Sequence, residues 1–490
     1  MTYRPLEVST PDNGRPREEC GVFAVFGSTD AAALTALGLH ALQHRGQEST
    51  GIVSFDGARF HPHRALGEVG DVFGDPAVIQ RLPGSAAIGH VRYSTSGAPA
   101  LRNVQPLYAD FNFGGLALAH NGNLTNARAL RQELVGHGAL FQSTSDTEVF
   151  QHLIATSAGG RLLERFVDAL AQVEGAYSLV AMSRRKIIAA RDPLGVRPLT
   201  LGRLGDAWIV TSETCALDII GAKFERDVEP GEIVVIDQTG LQSLKPLPAM
   251  KQRFCIFEYV YFSRPDSLIE GRNVYEVRKR IGAELAREFH VAADMVIPVP
   301  DSGVPAAIGY SQEAGITFEL GLIRNHYVGR TFIEPRDEIR HLGVKLKHNA
   351  NREALQDKRV VMVDDSIVRG TTAKKIVEMV RQAGAKEVHL RISSPPTTQS
   401  CFYGIDTPER SELLAAQHDV EGMRRLVGAD SLAFVSVDGL YRAVAGVARD
   451  NHSPQFCDAC FTEDYPTRLT DRDEGTEISQ LSLLAEIAKR

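Results

Sequence analysis

The chain has 490 residues, of which 43% are hydrophobic and 23% charged, as in a globular protein of two or three domains. Its net charge of −7 argues against a general nucleic-acid binder, and the sequence has no apolar run of about 18 residues that would cross a membrane. Residues 1–19, MTYRPLEVSTPDNGRPREE, lack the apolar core of a secretory signal. We therefore expect a cytoplasmic protein that binds neither nucleic acid nor membrane and carries a disordered leader over residues 1–19.

The segment 20–252 contains short apolar runs bounded by Gly, Asp and Ser, which predict strands. These runs are CGVFAVFG, TGIVSFDG, AAIGHVRYST, LALAHNG, AYSLVAMS, KIIAARD and AWIVTS. Helical patterns lie between them at about 29–44, 124–135 and 146–156. Ser145 and Glu148 are spaced as a capping box before the last helix. The segment is typical of an α+β or layered sandwich domain.

Cys20 opens the first of these strands, directly after two glutamates in RPREECGVFAVFG. A thiol at a mature N-terminus has its own α-amine within reach as a general base. Removal of residues 1–19 would therefore make Cys20 a self-contained nucleophile. The alternative is a small buried cysteine at a strand edge.

Three further motifs of this segment offer polar groups that suit the recognition of an amino acid. HVRYSTSG contributes Arg92, whose guanidinium fits a carboxylate, and Thr95. AHNGNLTN contributes the Asn121 side chain and the Gly122 N–H, which could form an oxyanion hole, and STSDTE contributes Asp146 for an ammonium group. Each motif alone is weak evidence, since Asn-Gly is usually a turn and the arginine could be structural.

From about residue 253 strands and helices alternate, which predicts βαβ units and a mostly parallel sheet. DMVIPVP, ITFELGLIRN, RVVMVDD and EVHLRISS are typical of strands, and PAAIGYSQEAG and TTAKKIVEMVRQAGA of helices. Gly384 is placed to cap the end of the second helix. The polar segment 463–490 is expected to be a mobile C-terminal tail.

The run VVMVDDSIVRGTTAKK predicts a phosphate-binding loop. A buried strand ends in two carboxylates, and the small loop and helix that follow direct backbone N–H groups at an anion. The carboxylates suit a divalent cation or ribose hydroxyls. The run resembles the diphosphoribose loop of type I phosphoribosyltransferases. Its ligand-binding residues would be Asp364, Asp365, Ser366, Arg369, Gly370, Thr371 and Thr372.

Two neighbouring features could belong to the same site. Ser302, in VPDSG, follows another strand and could face the same metal, because ligands bind beyond the carboxyl ends of parallel strands, although an ordinary turn also fits. The basic stretch IRNHYVGRTFIEPRDEIRHLGVKLKHN contains Arg330 and Lys345. It is either a solvated face or a lid that neutralises pyrophosphate and excludes water.

Four cysteines could form one site. Cys457 and Cys460 are a C-x-x-C pair, and Cys255 and Cys401 could supply two more thiolates. Four thiolates suit zinc and an iron–sulfur cluster equally, and unrelated buried thiols remain an alternative. The remaining Cys215 is expected to be a buried structural thiol.

These motifs together resemble the amidophosphoribosyltransferase (glutamine phosphoribosylpyrophosphate amidotransferase) family. CGVFAVFG, LQHRGQES, HVRYSTSG, HNGNLTN, STSDTE, RDPLGVRPL and SETCALD are similar to its glutaminase half. FEYVYFSRPDS, VPDSG, RNHYVGRTFI and VDDSIVRGTT are similar to its transferase half. The resemblance implies an α+β N-terminal-nucleophile (αββα sandwich) domain over 20–252, followed by an α/β type I phosphoribosyltransferase domain over 253–462.

The resemblance also implies a reaction and its residues. Phosphoribosyl pyrophosphate, glutamine and water would give 5-phosphoribosylamine, glutamate and pyrophosphate, the first committed step of de novo purine biosynthesis. The implied catalytic residues are Cys20, Asn121 and Gly122. The implied glutamine-binding residues are Arg92, Thr95 and Asp146. The implied phosphoribosyl pyrophosphate-binding residues are those of the loop, with Arg330 and Lys345.

The implied cofactors are one Mg²⁺ and one [4Fe–4S] cluster per subunit, as in the family branch with a cleaved leader. The implied Mg²⁺ ligands are Ser302, Asp364 and Asp365. The implied cluster ligands are Cys255, Cys401, Cys457 and Cys460. Inhibition by purine nucleotides and a homotetramer are implied as well.

Two other functions compete with this interpretation. An aminosugar-forming class II amidotransferase would need paired sugar-isomerase domains, whereas VVMVDDSIVRGTT favours phosphoribosyl chemistry. A non-enzymatic sensor of phosphoribosyl pyrophosphate would have no need of Cys20, Arg92, Asn121 and Asp146.

Overall fold

The computed structural model describes residues 20–93, 100–325 and 348–473. The expected leader, Thr95, Arg330, Lys345 and the last part of the expected tail lie outside the described residues. In the described part of the chain, no helix is both long enough and apolar enough to cross a membrane.

The N-terminal half contains two antiparallel sheets. Its strands are, in chain order, β1 (Gly21–Phe26), β2 (Ser49–Phe55), β3 (Phe60–Leu66), β4 (Ala86–Arg92), β5 (Leu107–Phe111), β6 (Gly114–Leu124), β7 (Gly175–Ser183), β8 (Ile187–Arg191), β9 (Thr200–Leu204), β10 (Ala207–Thr211), β11 (Lys223–Asp227), β12 (Ile233–Asp237) and β13 (Gly240–Leu244). The sheet orders are β11-β9-β10-β1-β4-β2-β3 and β13-β12-β8-β7-β6-β5.

Helices cover the outer face of each sheet. They are α1 (Ala31–Ala41), α2 (Val69–Phe73), α3 (Pro76–Gln80), α4 (Ala127–Gly136), α5 (Thr147–Thr156), α6 (Leu162–Leu170) and α7 (Cys215–Asp218), with 3₁₀ turns at Gln43–Arg45 and Leu101–Asn103. Side chains alternate across β1, so Val22 packs against Ala119 between the sheets while Phe23 packs outward near Leu39 of α1. The result is the expected four-layer αββα sandwich.

The helix starts differ from the sequence prediction in two places. The helix predicted from residue 124 begins at Ala127, because β6 continues to Leu124. The predicted capping box does not form at α5. Glu148 instead accepts hydrogen bonds from the backbone N–H groups of Gln142 and Ser143, both at 2.7 Å, and so fixes the loop before the helix.

The C-terminal half is built around a parallel sheet of order β17-β20-β21-β22. Its strands are β14 (Phe254–Cys255), β15 (Leu268–Ile269), β16 (Arg272–Asn273), β17 (Met295–Pro298), β18 (Leu322–Arg324), β19 (His348–Ala350), β20 (Arg359–Asp364), β21 (Glu387–Ile392), β22 (Ser431–Phe434) and β23 (Phe456–Cys457). The segment predicted as one strand, ITFELGLIRN, forms only β18, which pairs with β19, and a single bridge from Phe318 to Val296.

Helices flank both faces of the parallel sheet. They are α8 (Val274–Glu288), α9 (Val304–Ala314), α10 (Arg352–Leu355), α11 (Thr371–Gln382), α12 (Leu414–Gln417), α13 (Val420–Val427), α14 (Val437–Ala445), α15 (Ala459–Thr462) and α16 (Thr470–Asp473), with a π-helical turn at Glu258–Phe262 and a 3₁₀ turn at Arg410–Glu412. Met362 of β20 packs toward Ile376 of α11, whereas its neighbour Val361 packs toward Ile281 of α8. The sheet is therefore apolar on both sides, as parallel sheets are.

The end of the described chain crosses back to the N-terminal half and differs from the expected tail. The Tyr465 hydroxyl donates to the Ser400 carbonyl at 2.6 Å. The Asp471 carboxylate accepts from the N–H groups of Arg128 and Ala129, at 2.8 and 3.1 Å, at the start of α4. Acidic side chains stabilise helix N-termini in this way, so residues 463–473 join the two halves.

Candidate active sites and a four-thiol cavity

Cys20 lies at one end of the seam between the two sheets. The two-residue period of a strand places Cys20 on the face of β1 that carries Val22, and Asn121 on the face of β6 that carries Ala119. Val22 and Ala119 meet in the cluster between the sheets. The Cys20 thiol, which is 7% exposed, and the Asn121 amide therefore point into the same seam.

Arg92 enters this seam from the neighbouring strand β4. It is 4% exposed and lies on the same face of β4 as His90. His90 is opposite Val22 of β1, which faces the seam. Burial lowers the pKa of His90 to about 3, and the charge of Arg92 adds to that shift, so the ring is neutral. Its Nε2–H donates to the His120 carbonyl at 3.0 Å, which fastens β4 to β6.

Asn121 and Gly122 have the environment of an oxyanion hole. Asn121 is fully buried, and among the described residues neither polar atom of its side chain has a hydrogen-bond partner. A buried amide without partners is costly and is therefore rare outside functional sites. Gly122 has a φ of +140°, and a Cβ there would lie 2.1 Å from the Ala176 carbonyl oxygen, so only glycine fits.

Asp146 adds a carboxylate beside these groups. Its Oδ2 accepts from the Leu124 N–H at 3.0 Å and lies 3.7 Å from Nδ1 of His120. Burial would raise the pKa of Asp146, but its neighbours, His120 first among them, outweigh burial and hold the pKa below its ordinary value. Weaker attraction to Arg92 acts in the same direction. A buried arginine and an ionised carboxylate, the two groups that an α-amino acid requires, thus lie close enough to attract each other.

The phosphate loop follows β20, as the sequence predicts. Asp364 and Asp365 are buried, and Ser366 donates to Asp365 at 2.6 Å. Gly370 has a φ of +75° and is the N-cap of α11, so the loop ends with the helix N-terminus and Thr371 in its first turn. Backbone N–H groups at such a terminus favour an anion.

Ser302 follows β17, the strand next to β20. The adjacent Gly303 packs against the end of β20, and a Cβ there would lie 2.5 Å from the Val363 carbonyl oxygen. This close approach puts the Ser302 turn beside the Asp364 end of the strand. One predicted ligand-binding residue has another partner: the Arg369 guanidinium donates to Glu412 at 2.6 and 2.9 Å.

Four thiols surround a small cavity that Val196 and Arg197 of the N-terminal half also line. Cys255 and Cys457 are paired in register on the parallel strands β14 and β23, and Cys401 and Cys460 line the same cavity. In the described ranges, no three His, Cys, Asp or Glu side chains are close enough together to hold a single metal ion. Burial, with repulsion from Cys401, raises the pKa of Cys457 to about 12.

A buried charge network joins the two halves. Arg45 of the N-terminal half bonds both Glu213 and Glu258, the latter at 2.5 Å and from the C-terminal half. Arg197 reaches Glu258 at 3.4 Å, and the second carboxylate oxygen of Glu213 accepts from Ser267 at 2.7 Å. All the charged members are at most 1% exposed in their side chains.

Two comparisons with known proteins decide the family. Residues 90–218 match the family model for a glutamine amidotransferase domain, and residues 266–393 match that for a phosphoribosyl transferase domain. The chain is 58% identical over 480 residues to the amidophosphoribosyltransferase of Rhizobium etli, with 97% of each chain covered. The chain belongs to the amidophosphoribosyltransferase family. The Bacillus subtilis amidophosphoribosyltransferase is 50% identical over 453 residues, which are 92% of this chain and 95% of the relative.

Solved structures agree with this membership. Glutamine phosphoribosylpyrophosphate amidotransferase from B. subtilis, in complex with ADP and GMP, matches with a TM-score of 0.87 at 49% identity, covering 92% of this chain and 98% of that one. The predicted fold and enzyme class are confirmed. The amidophosphoribosyltransferase reaction converts phosphoribosyl pyrophosphate, glutamine and water into 5-phosphoribosylamine, glutamate and pyrophosphate, at the first committed step of purine biosynthesis. The aminosugar-forming alternative and the non-enzymatic sensor are thereby rejected.

The residues that support the site from behind are not evident from the sequence motifs. His90 and His120 lie in the motifs HVRYSTSG and AHNGNLTN, but only the packing of the two sheets shows that they connect β4 to β6. The sequence does contain a signal for them. In each strand a histidine occupies a position that the alternation of side chains assigns to the interior. Glu258, an isolated charge within the apolar run FCIFEYVYF, is a similar signal for the interdomain network.

Proposed function

We propose that Cys20 is the nucleophile of the glutaminase half and that it acts from a mature N-terminus. Its thiolate attacks the carboxamide carbon of glutamine, with the Cys20 α-amine as the general base. The C–N bond then breaks, ammonia leaves and a thioester remains, which water hydrolyses to glutamate. The observation that carries this proposal is the convergence of Cys20 and the unpartnered Asn121 amide in one buried seam.

The surrounding groups fit glutamine. The Asn121 amide and the Gly122 N–H stabilise the oxyanion that forms as the thiolate attacks. Arg92 binds the α-carboxylate and Asp146 the α-ammonium group, so that the side-chain amide extends toward the thiol. Thr95 is proposed as a third glutamine contact.

The test of this proposal is the intact mass and N-terminal sequence of the purified full-length protein. We expect a chain that begins at Cys20, with residues 1–19 removed, and one covalent glutamyl-analogue label per chain on that cysteine. A fully active enzyme whose chains all begin upstream of Cys20 would contradict the proposal, because the thiol would then lack its own amine.

In the transferase half, we propose that the loop after β20 holds phosphoribosyl pyrophosphate. Asp364, Asp365 and Ser302 are oxygen donors at the ends of adjacent parallel strands, a donor set that suits Mg²⁺. When bound, Mg²⁺ neutralises charge on the departing pyrophosphate. The other proposed contacts are Ser366, Arg369, Gly370, Thr371, Thr372, Arg330 and Lys345. Ammonia attacks C1 of the ribose, and the C1–pyrophosphate bond breaks.

We further propose that this chain belongs to the branch with a cleaved leader and a [4Fe–4S] cluster. The donor set supports it, since four thiols from three separated segments surround one cavity. Cluster ligands bind as thiolates, and four buried thiolates would repel one another without a cationic partner. The cluster would join β14 and β23 to the loop at Cys401, a structural role.

Replacement of a proposed cluster ligand distinguishes a cluster site from an accidental group of thiols. We expect Cys457→Ser to lower the iron and acid-labile sulfide of anaerobically purified protein from about four of each per chain to below one. The matched control is Cys215→Ser, another buried cysteine outside the cavity, which should keep the wild-type content. Stoichiometric zinc in wild-type protein, or equal iron in both variants, would reject the cluster.

Three properties of the assembled enzyme are proposed from the family. They are a homotetramer, a cytoplasmic location and inhibition by purine nucleotides. The solved structure of the B. subtilis relative supports the last of them, because it is a complex with ADP and GMP.

A further inference from the structure

A loop of the transferase half lies directly against the glutaminase strand β6. The loop, residues 401–405, begins at one of the cavity thiols, and Tyr403 and Ile405 also line the cavity. Its opposite side touches the backbone of Gly122. A five-residue segment therefore spans the distance between the four-thiol cavity and the proposed oxyanion hole.

The contact between Gly404 and Gly122 is too tight to take a side chain without a shift of the backbone. A Cβ on Gly404 would lie 3.0 Å from the carbonyl carbon of Gly122, 3.1 Å from its Cα and 3.2 Å from its oxygen. These atoms are backbone atoms of a sheet, so they cannot rotate away. Gly404 also has a φ of +113°, which side chains disfavour.

Hydrogen bonds hold the loop in this place from three directions. The Phe402 carbonyl accepts from Nδ2 of Asn123 at 3.0 Å, one residue beyond Gly122. The Tyr403 carbonyl accepts from Nε and Nη2 of the buried Arg197 at 2.9 and 2.8 Å. The Tyr403 hydroxyl lies 3.1 Å from the hydroxyl of Thr467, in the segment that returns to the N-terminal half.

We propose that the loop 401–405 positions the oxyanion donor of the glutaminase. It does so through the contact of Gly404 with Gly122 and through the hydrogen bond from Asn123 to the Phe402 carbonyl. The proposal rests on the oxyanion role of Gly122 given above. Gly404 lies against Cα, C and O of Gly122, so the loop fixes the Cα to which the donor N–H is attached. Hydrogen bonds to an oxyanion lose strength within a few tenths of an ångström of misplacement. The glutaminase half is then catalytically complete only with the transferase half docked on it.

The test compares substitutions of two glycines with nearly the same φ. Gly404→Ala introduces the Cβ against β6, whereas Gly240→Ala, at a φ of +115°, meets nothing within 4 Å. We expect Gly404→Ala to lower the kcat of glutamine hydrolysis about 10²-fold, the effect of losing one oxyanion donor. The KM for glutamine and ammonia-dependent transfer should change less than threefold, and Gly240→Ala should leave all three unchanged.

A second readout distinguishes positioning from a general disturbance. The γ-aldehyde of glutamate forms a hemithioacetal with the nucleophilic thiol and needs the oxyanion hole, whereas glutamate does not. Gly404→Ala should weaken aldehyde binding about 10²-fold and glutamate binding less than threefold. Equal weakening of both ligands, or a kcat within threefold of wild type, would overturn the proposal.

Asn123→Ala provides a second test of the positioning role in case Gly404→Ala does not fold. It removes the tie to the Phe402 carbonyl without adding bulk, and we expect at least a fivefold loss of kcat with the same difference between aldehyde and glutamate. Unchanged kcat in that variant would then reject the positioning role. Failure of the underlying oxyanion proposal is recognised separately, because wild-type enzyme would then bind the aldehyde no better than glutamate.

Discussion

Replacement of Cys20 by alanine is expected to abolish glutamine-dependent turnover, with a loss of at least about 10⁴-fold, while ammonia-dependent transfer continues. The thiol is the attacking group in the proposed reaction, so no thioester can form without it. The transferase half has its own substrate site after β20, so added ammonia can bypass the missing step. Glutamate release from glutamine and pyrophosphate release with an ammonium salt at alkaline pH measure the two activities separately.

The conservative variant sharpens this experiment. Cys20→Ser retains an N-terminal nucleophile, although one of higher pKa. Its glutamine-dependent turnover should therefore lie between that of the wild type and that of Cys20→Ala. Cys20 is buried, but replacement of its sulfur by oxygen next to the start of a strand is a small structural change. Glutamine-dependent turnover above a tenth of wild type in Cys20→Ala would point to a different nucleophile.

The phosphate loop could be predicted because its chemistry is contiguous. Strand, carboxylates, glycine and helix start all lie within VVMVDDSIVRGTTAKK, and each feature has a local physical cause. The continuous apolar run of β20 likewise predicts a strand that is buried on both faces. Local patterns failed at α5, where Glu148 bonds the preceding loop instead of the expected capping position.

The glutaminase site is only partly accessible to such reasoning. Its groups are separated along the chain. Strand pairing brings Cys20 and Arg92 together, and the packing of the two sheets brings Asn121 to the same seam. The sequence supplies the residue types, and only the family resemblance indicates which of these residues act together. The contact between Gly122 and Gly404 has no local signal, because a glycine at a positive φ is common in turns that touch nothing.

The second large effect is expected in the interdomain network, at Arg45. Arg45→Met keeps the volume of the side chain but leaves Glu213 and Glu258 without the cation that they share. Loss of one partner from a buried ion pair typically costs about 3–5 kcal/mol of unfolding free energy. The remaining contacts from His44 and Arg197 place the expected loss near the lower value, about 3 kcal/mol. Urea unfolding followed by circular dichroism would measure it, with the exposed Arg425→Met as control.

The pH dependence of that loss identifies its cause. Burial would raise the pKa of Glu213, but Arg45 and then His44 outweigh it and hold the pKa well below its ordinary value. Glu213 therefore stabilises the wild type above the pKa of an unfolded glutamate, and this contribution disappears as the pH falls through the lower, folded-state value. In Arg45→Met the folded-state pKa rises instead, so acid favours the folded variant and the stability gap should narrow between pH 7 and pH 5. A gap that stays constant over this range would assign the loss to packing and not to charge.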